Sequence, residues 1–338
     1  MKTRHTSPSN HMKGIESVFK PALSVVVPVY NSEETLADLV ACLEKELSKL
    51  AETFEVILVN DNSRDTSWRV VCELSERYSF VHGIDLMRNY GQHNALLAGI
   101  RAAQSDIIVT MDDDLQHPPE EIQHLLQKIA EGYDVVYGVP QQELHGFWRG
   151  LASQATKLAL QGAMGAETAR RISAFRAFRT QIRDAFANYQ GSFVSIDVLL
   201  TWGTTCFVGV RVRHDSRRVG VSNYTLRKLV LHALNMMTGF STLPLQLASL
   251  IGFGFTLLGI LILAFVIGRY LIQGGSVPGF PFLASIIAIF SGAQLFALGI
   301  IGEYLARVHF RMMDKPPYAI RQRTVHVSHS HERNLPFS

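Results

Sequence analysis

Between Thr238 and Glu303 the chain carries almost no charge, Arg269 being the exception. Two apolar runs fill this interval, about Leu245 to Ile272 and Phe282 to Ile301, and each is long enough to cross a hydrocarbon core of about 30 Å as a helix. Apolar runs of that length with at most one charge are rare in soluble domains, so the chain divides into a globular portion and a membrane portion. The connector Gln273 to Gly279 is uncharged. Arg211, Arg213, Arg217, Arg218, Arg227 and Lys228 precede the first run, and Arg307, Arg311, Lys315, Arg321 and Arg323 follow the second. An excess of basic residues on both flanks places both on the cytoplasmic side and the connector outside. Between Ser222 and Thr238, Leu226, Leu229, Val230, Ala233, Leu234 and Met237 recur at helical spacing with Arg227, Lys228 and His232 among them. This pattern predicts an amphipathic helix lying in the membrane interface.

A net charge of +3 leaves no nucleic-acid footprint. Cys42, Cys72 and Cys206 are odd in number and have no metal-like spacing, which points to a reducing compartment and to cysteines buried as small apolar residues. The polar stretch Met1 to Lys20 has no apolar core of the kind that directs secretion, so the globular portion is expected to stay in the cytoplasm.

The globular portion alternates β-rich runs with helical patterns. Leu23 to Val29, Val56 to Asn60, Val81 to Leu86, Ile107 to Met111 and Val135 to Val139 read as strands, the signature of an α/β parallel sheet. Asn31 with Glu34 has the form of a capping box opening the first helix. Pro118 and Pro119 suit the start of another helix that closes near Gly132. The strand ends then bring Tyr30, Asp61 and Asp112 to one edge, where open parallel sheets bind ligands.

Asp112, Asp113 and Asp114 follow directly on an apolar strand. Three adjacent carboxylates repel one another unless a cation compensates, and their hard oxygens suit Mg²⁺ or Mn²⁺ completing its shell with phosphate oxygens. A solvated acidic turn capping the next helix is the competing reading of these residues alone.

The ordered motifs VVVPVYNSEETL (Val25 to Leu36), VNDNSRD (Val59 to Asp65), RNYGQHNALLAG (Arg88 to Gly99), MDDDLQHPPEEI (Met111 to Ile122), SAFRAFR (Ser173 to Arg179) and GEYLARV (Gly302 to Val308) resemble the family 2 glycosyltransferases. More narrowly they resemble the branch that uses polyprenyl phosphates. The resemblance spans about residues 22 to 322 and implies a GT-A fold (a Rossmann-like, mostly parallel sheet), a divalent metal (Mg²⁺ or Mn²⁺) and inversion at the anomeric carbon. It also implies a nucleotide-diphosphate sugar donor, a polyprenyl phosphate acceptor such as undecaprenyl phosphate, the membrane as a partner, no nucleic acid, and compatibility with a homo-oligomer. The implied organisation is a tail (1–20), a catalytic domain (21–221), a juxtamembrane amphipathic helix (222–240), two transmembrane helices within 241–304 (about 245–272 and 282–303) and a cytoplasmic tail (305–338).

Carried over residue by residue, the resemblance assigns metal ligation to Asp112, Asp114 and Gln116, and nucleotide-sugar binding to Pro28, Tyr30, Asp61, Arg88, Gln92 and Asp113. It assigns lipid-phosphate binding to Arg149, Ser173, Arg217, Ser222 and Tyr224, and catalysis to Asp114, Arg176 and Arg217. The chain departs from the branch at Ser32, Asn60 and Asn223. Arg170 stands where the branch commonly has an Asp, so a general base there is missing. A phosphate monoester with a second pKa of about 6 is already largely dianionic at neutral pH and needs none. Arg170 or Arg171 could add charge for the departing diphosphate, or be surface residues. A processive polysaccharide synthase would need a longer membrane channel and a QxxRW motif, both missing. A non-catalytic sugar-nucleotide sensor or flippase scaffold is the alternative from another class, and the intact Asp112, Asp114 and Gln116 speak against it.

Overall fold

The computed structural model describes residues 20–140, 172–191, 194–215, 243–273, 279–313 and 315–324. The described strands are β1 (Leu23–Val29), β2 (Phe54–Asn60), β3 (Val81–Leu86), β4 (Ile107–Thr110), β5 (Val135–Pro140), β6 (Arg176–Arg179), β7 (Phe207–Val212) and β8 (Ile320–Arg323). They form one sheet in the order β7-β5-β6-β4-β1-β2-β3-β8. The pairs β1–β2, β1–β4, β2–β3 and β5–β7 are parallel. Strand β6 runs antiparallel between β4 and β5, and β8 runs antiparallel along the outer edge of β3. The expected GT-A arrangement is thus present, with β6, β7 and β8 beyond the five strands predicted.

Every residue of β1 is buried because the sheet is covered on both faces, the environment that continuous Val-rich strands require. Helices α1 (Leu36–Leu50), α2 (Ser67–Arg77) and α4 (Ile122–Ala130) pack through Leu39, Leu43, Val71 and Leu125 on one face. On the other, α3 (Gln92–Ala102) and α5 (Ile196–Gly203) pack through Leu96, Ile100 and Leu199. A 3₁₀ turn at Pro119–Glu121 leads into α4, which ends ahead of Gly132 at φ 102°, as expected.

Two expectations need correction. Asn31 does not cap α1: the N-cap is Thr35, and Asn31 takes a left-handed backbone (φ 54°) with its Oδ1 accepting from the Arg64 N–H at 2.8 Å. The pattern is that of a capping box, but the side chain is used to tie two loops together. Nor are the cysteines fully buried, since Cys42 and Cys72 are half-buried and Cys206 is exposed.

The two apolar runs form α6 (Leu243–Gln273) and α7 (Phe280–Met312). Both are long and apolar enough to cross a membrane, with windows Ala248–Arg269 and Ile289–Ala306 of mean hydropathy 2.8 and 1.4. Phe255 and Phe290 meet edge to face at 5.9 Å where the two helices pack. Helix α7 runs past the predicted end through Glu303 and Arg307. The expected interfacial helix at 222–240 lies outside the described residues, as do Arg149, Arg170, Arg171, Arg217, Ser222 and Tyr224.

Candidate functional site

The loops leaving β1, β2 and β4 at their carboxyl ends, together with the start of α3, enclose a cleft of about 420 Å³. It is lined by Pro28, Val29, Tyr30, Asp61, Asn89, Gly91, Gln92, Asp112, Asp113, Asp114 and Gln116. A volume of this order is typical of a small-molecule site. The four carboxylates face no Lys, Arg or His among these lining residues, so the cleft is an acidic hollow that favours a cation.

Stitching between loops holds the walls. The Asn31 N–H donates to Ser63 Oγ at 3.0 Å, the Ser32 N–H to Ser67 Oγ at 2.8 Å, and the Thr66 N–H to Glu33 Oε2 at 2.8 Å. Asn60 Oδ1 accepts from Ser63 Oγ at 2.6 Å. Backbone at positive φ recurs at Asn31, Asn62 (φ 55°) and Leu115 (φ 58°), one in each of the loops after β1, β2 and β4. Leu in this region is unfavourable, and such strain concentrates at functional sites. At Leu115 it turns the chain between Asp114 and Gln116, so that both line the cleft.

Asp61 is 3 % exposed and accepts the backbone N–H groups of Tyr90 and Gly91 at 2.7 and 2.8 Å. Burial pushes its pKa up, and those two bonds oppose the shift. Asp61 therefore fixes the loop before α3 as well as lining the cleft. Burial likewise raises Asp113, which is held down in part by Ser32 Oγ and the Tyr30 N–H (3.3 Å), both donating to its Oδ2. Asp113 thus turns back to the β1 loop. Asp112 Oδ1 accepts from Gln92 Nε2, and Asp114 Oδ1 accepts the Gln116 N–H at 3.1 Å. Tyr30 is 45 % exposed, leaving an aromatic face at the cleft for stacking.

Beneath Gln116, His117 is stacked between Phe175 (5.1 Å) and His214 (4.8 Å). Burial first, then His214, lowers the His117 pKa to about 4, while Asp114 works the other way, so the ring is neutral at pH 7. The Gln116 carbonyl accepts the Asp215 N–H at 2.8 Å. This bond anchors the beginning of the HDSRRVGVSNY run beside the acidic motif, although the run's later residues are not described.

Of the expected site residues, Pro28, Tyr30, Asp61, Gln92, Asp112, Asp113, Asp114 and Gln116 are brought together. Arg88 is exposed with its guanidinium 4.6 Å over the Tyr90 ring, beside the cleft but not lining it. Ser173 Oγ accepts the Phe175 N–H at 3.2 Å and does not line the cleft. Arg176 is a correction. It is 2 % exposed, its Nη1 is bonded to Asp197 and its Nε donates to Thr110 Oγ1 at 3.1 Å, so its charge is spent inside the protein. Asn89 and Gly91 were not singled out from the sequence, although both lie inside the RNYGQH motif between the expected Arg88 and Gln92.

Residues 24–189 match the family model described as Glycosyl transferase family 2. The chain is 35% identical over 303 residues to the undecaprenyl-phosphate 4-deoxy-4-formamido-L-arabinose transferase of Pseudomonas aeruginosa (strain LESB58), covering 89% of each chain. It is 34% identical over 306 residues to the transferase of the same name from Pectobacterium carotovorum subsp. carotovorum (strain PC1), covering 90% of this chain and 93% of that one. Among solved structures, glucosyl-3-phosphoglycerate synthase from Mycobacterium tuberculosis, with Mn²⁺, UDP and phosphoglyceric acid, aligns at a TM-score of 0.47 with 18% identity, over 64% of this chain and 76% of that chain.

Proposed function

Because the chain belongs to glycosyl transferase family 2, we propose that its acidic cleft holds a nucleotide-diphosphate sugar and that the sugar passes to a polyprenyl phosphate at the membrane surface. The chain is a glycosyltransferase, and its relatives over nearly the whole length are named as undecaprenyl-phosphate sugar transferases. The observation that carries the donor reading is the convergence of Asp61, Asp112, Asp113 and Asp114 with the exposed Tyr30 at the carboxyl edge of the sheet.

Asp112 and Asp114, with the amide of Gln116, supply hard oxygen donors that fit Mg²⁺ or Mn²⁺. An ion held by these groups would take its remaining ligands from phosphate and water. Bound there, a divalent ion would offset the charge of the departing diphosphate. Tyr30 and Pro28 offer a face for the base, while Asp61 and Gly91 bound the same hollow.

In the reaction an oxygen of the lipid phosphate bonds to the anomeric carbon from the face opposite the departing diphosphate. The bond from that carbon to the diphosphate oxygen breaks, and the nucleoside diphosphate leaves with the electron pair. A dianionic phosphate has no proton to surrender, so no protein base is required. Alignment of the two substrates and charge stabilisation supply the acceleration. The Asp215 N–H bond to the Gln116 carbonyl sets the start of the HDSRRVGVSNY run beside the acidic motif, and we place the lipid phosphate at this same edge. We place α6 and α7 across the membrane with both flanks cytoplasmic.

Release of free nucleotide, a diphosphate from UDP, GDP and dTDP sugars or CMP from CMP sugars, tests this reading with the purified full chain. Release should appear with one donor and rise on addition of undecaprenyl phosphate. A protein that binds a donor but releases nothing with lipid present is a sensor or scaffold and contradicts it.

A further inference from the structure

Strand β8 follows α7 in the chain, yet it returns to the edge of the sheet beside β3. Its pairs with β3 are Ile84 with Arg323, Asp85 with Gln322 and Leu86 with Ile320, so Arg321 is the extra residue of a bulge. Bulges re-aim side chains, and here the guanidinium spans three groups. Arg321 Nη1 donates to Asp85 Oδ2 at 3.3 Å, and Nη2 donates to Asn62 Oδ1 at 3.1 Å and to the Met87 carbonyl at 2.9 Å. Asp85 is 1 % exposed, and its other oxygen accepts from Asn60 Nδ2 at 2.7 Å.

These partners sit at the roots of two cleft walls. Asn62 adjoins Asp61, and Met87 begins the loop whose Tyr90 and Gly91 N–H groups Asp61 holds. The strap is pinned on either side of Arg321. The Met87 N–H donates to the Ala319 carbonyl at 2.9 Å, and the Gly83 N–H donates to Thr324 Oγ1 at 2.8 Å. A Cβ at Gly83 would fall 2.7 Å from the Thr324 methyl, so glycine makes room for the strap. Tyr318 lies under the Arg101 guanidinium at 5.7 Å.

We propose that Arg321 is a positioning residue for the donor pocket, its forked contacts to Asp85, Asn62 and the Met87 carbonyl holding the Asp61 and Asn89–Gln92 walls at their working separation. The strap following the membrane hairpin is thereby a structural part of the donor site. Arg321 lies outside the cleft lining and acts through Asn62 and Met87, not on substrate. The inference rests on the reading of the cleft as the nucleotide-sugar site.

The test uses the full chain in detergent with undecaprenyl phosphate and whichever nucleotide sugar of the panel supports turnover. Arg321→Gln removes the fork. Arg321→Lys keeps a cation beside buried Asp85 but cannot reach all three partners. Asn62→Gly keeps the left-handed backbone and removes the Oδ1 acceptor together with the rest of the side chain. Loss of the half-exposed charge-assisted bonds to the walls is expected to raise donor KM roughly tenfold in Arg321→Gln, with lipid KM unchanged. Asn62→Gly and Arg321→Lys should raise donor KM without lowering the melting midpoint, and backbone hydrogen exchange at 87–92 should quicken in all three. If Arg321→Gln fails to fold, the other two variants decide. Unchanged donor KM and exchange in Asn62→Gly and Arg321→Lys, with the wild type active, would overturn the positioning role alone. A wild type that saturates with no nucleotide sugar would overturn the donor reading and the positioning role with it.

Discussion

Replacing Arg176 with Met should unfold the protein more readily instead of simply silencing it. The guanidinium is enclosed with the Asp197 carboxylate, their side chains being 2% and 7% exposed. The same carboxylate accepts the Tyr137 hydroxyl at 3.1 Å. Burial, and next to it the Asp197 charge, push the Tyr137 pKa well above its ordinary value, so the phenol stays a neutral donor. Removing the cation leaves a buried carboxylate with one phenol for a partner, a loss of about 3 to 5 kcal/mol. For a catalytic domain of this size each kcal/mol lowers the melting midpoint by about 2 to 4 °C, so a fall of roughly 6 to 20 °C is expected. Removing both charges in Arg176→Met/Asp197→Leu should recover much of that loss, because an apolar pair of similar volume often substitutes for a buried ion pair without net cost. Thermal melts of the full chain in detergent, read by tryptophan fluorescence beside turnover, give both quantities. A single variant that melts like the wild type but has lost activity, with the double variant equally inactive, would refute the counterion role and return Arg176 to the substrate.

Asp114→Asn keeps an oxygen to accept the Gln116 N–H but loses a metal-binding charge, so turnover should fall roughly a hundredfold while the melting midpoint holds; wild-type turnover with undiminished Mn²⁺ dependence would end the ligand assignment. Asp61 has a folded pKa raised by burial, so its contribution to stability is fully present below the ordinary value of 3.8 and is lost as pH rises through the raised value. The midpoint of the wild type minus that of Asp61→Asn should therefore grow as pH falls from 8 towards 4, and a pH-independent difference would contradict the raised pKa. A cysteine placed at Ser276 should react with an impermeant reagent on intact cells and one placed at Ser338 should not; the reverse labelling would invert the proposed topology.

The central strands were readable because their apolar runs end in turn-forming residues, and the same ends carried Asp61 and the Asp112 cluster to one edge. Strand β8 was not readable. Ile320–Arg323 is short, three of its four residues are exposed, and only pairing with β3 makes it a strand. Strand β7 is mostly half-buried and mixes Gly and Arg with Val, so its period is weak. Arg176 shows why a charged residue in a motif is ambiguous: its partner Asp197 lies 21 positions away, and only the packing of α5 beside β5 and β6 reveals the pair. The Asn31 and Glu34 spacing fits a cap, but the tie from Asn31 to Arg64 depends on the loop after β2, which local sequence cannot supply.

The most direct test of sugar transfer to a lipid phosphate is the mass spectrum of the lipid extract after the purified chain meets undecaprenyl phosphate, Mn²⁺ and the nucleotide-sugar panel. Transfer predicts a new lipid ion heavier than undecaprenyl phosphate by one glycosyl residue, lost when Asp112 and Asp114 are both changed to Asn. A glycosylated hydroxyl acceptor formed with no polyprenyl phosphate present, or the same lipid product from the double variant, would contradict it.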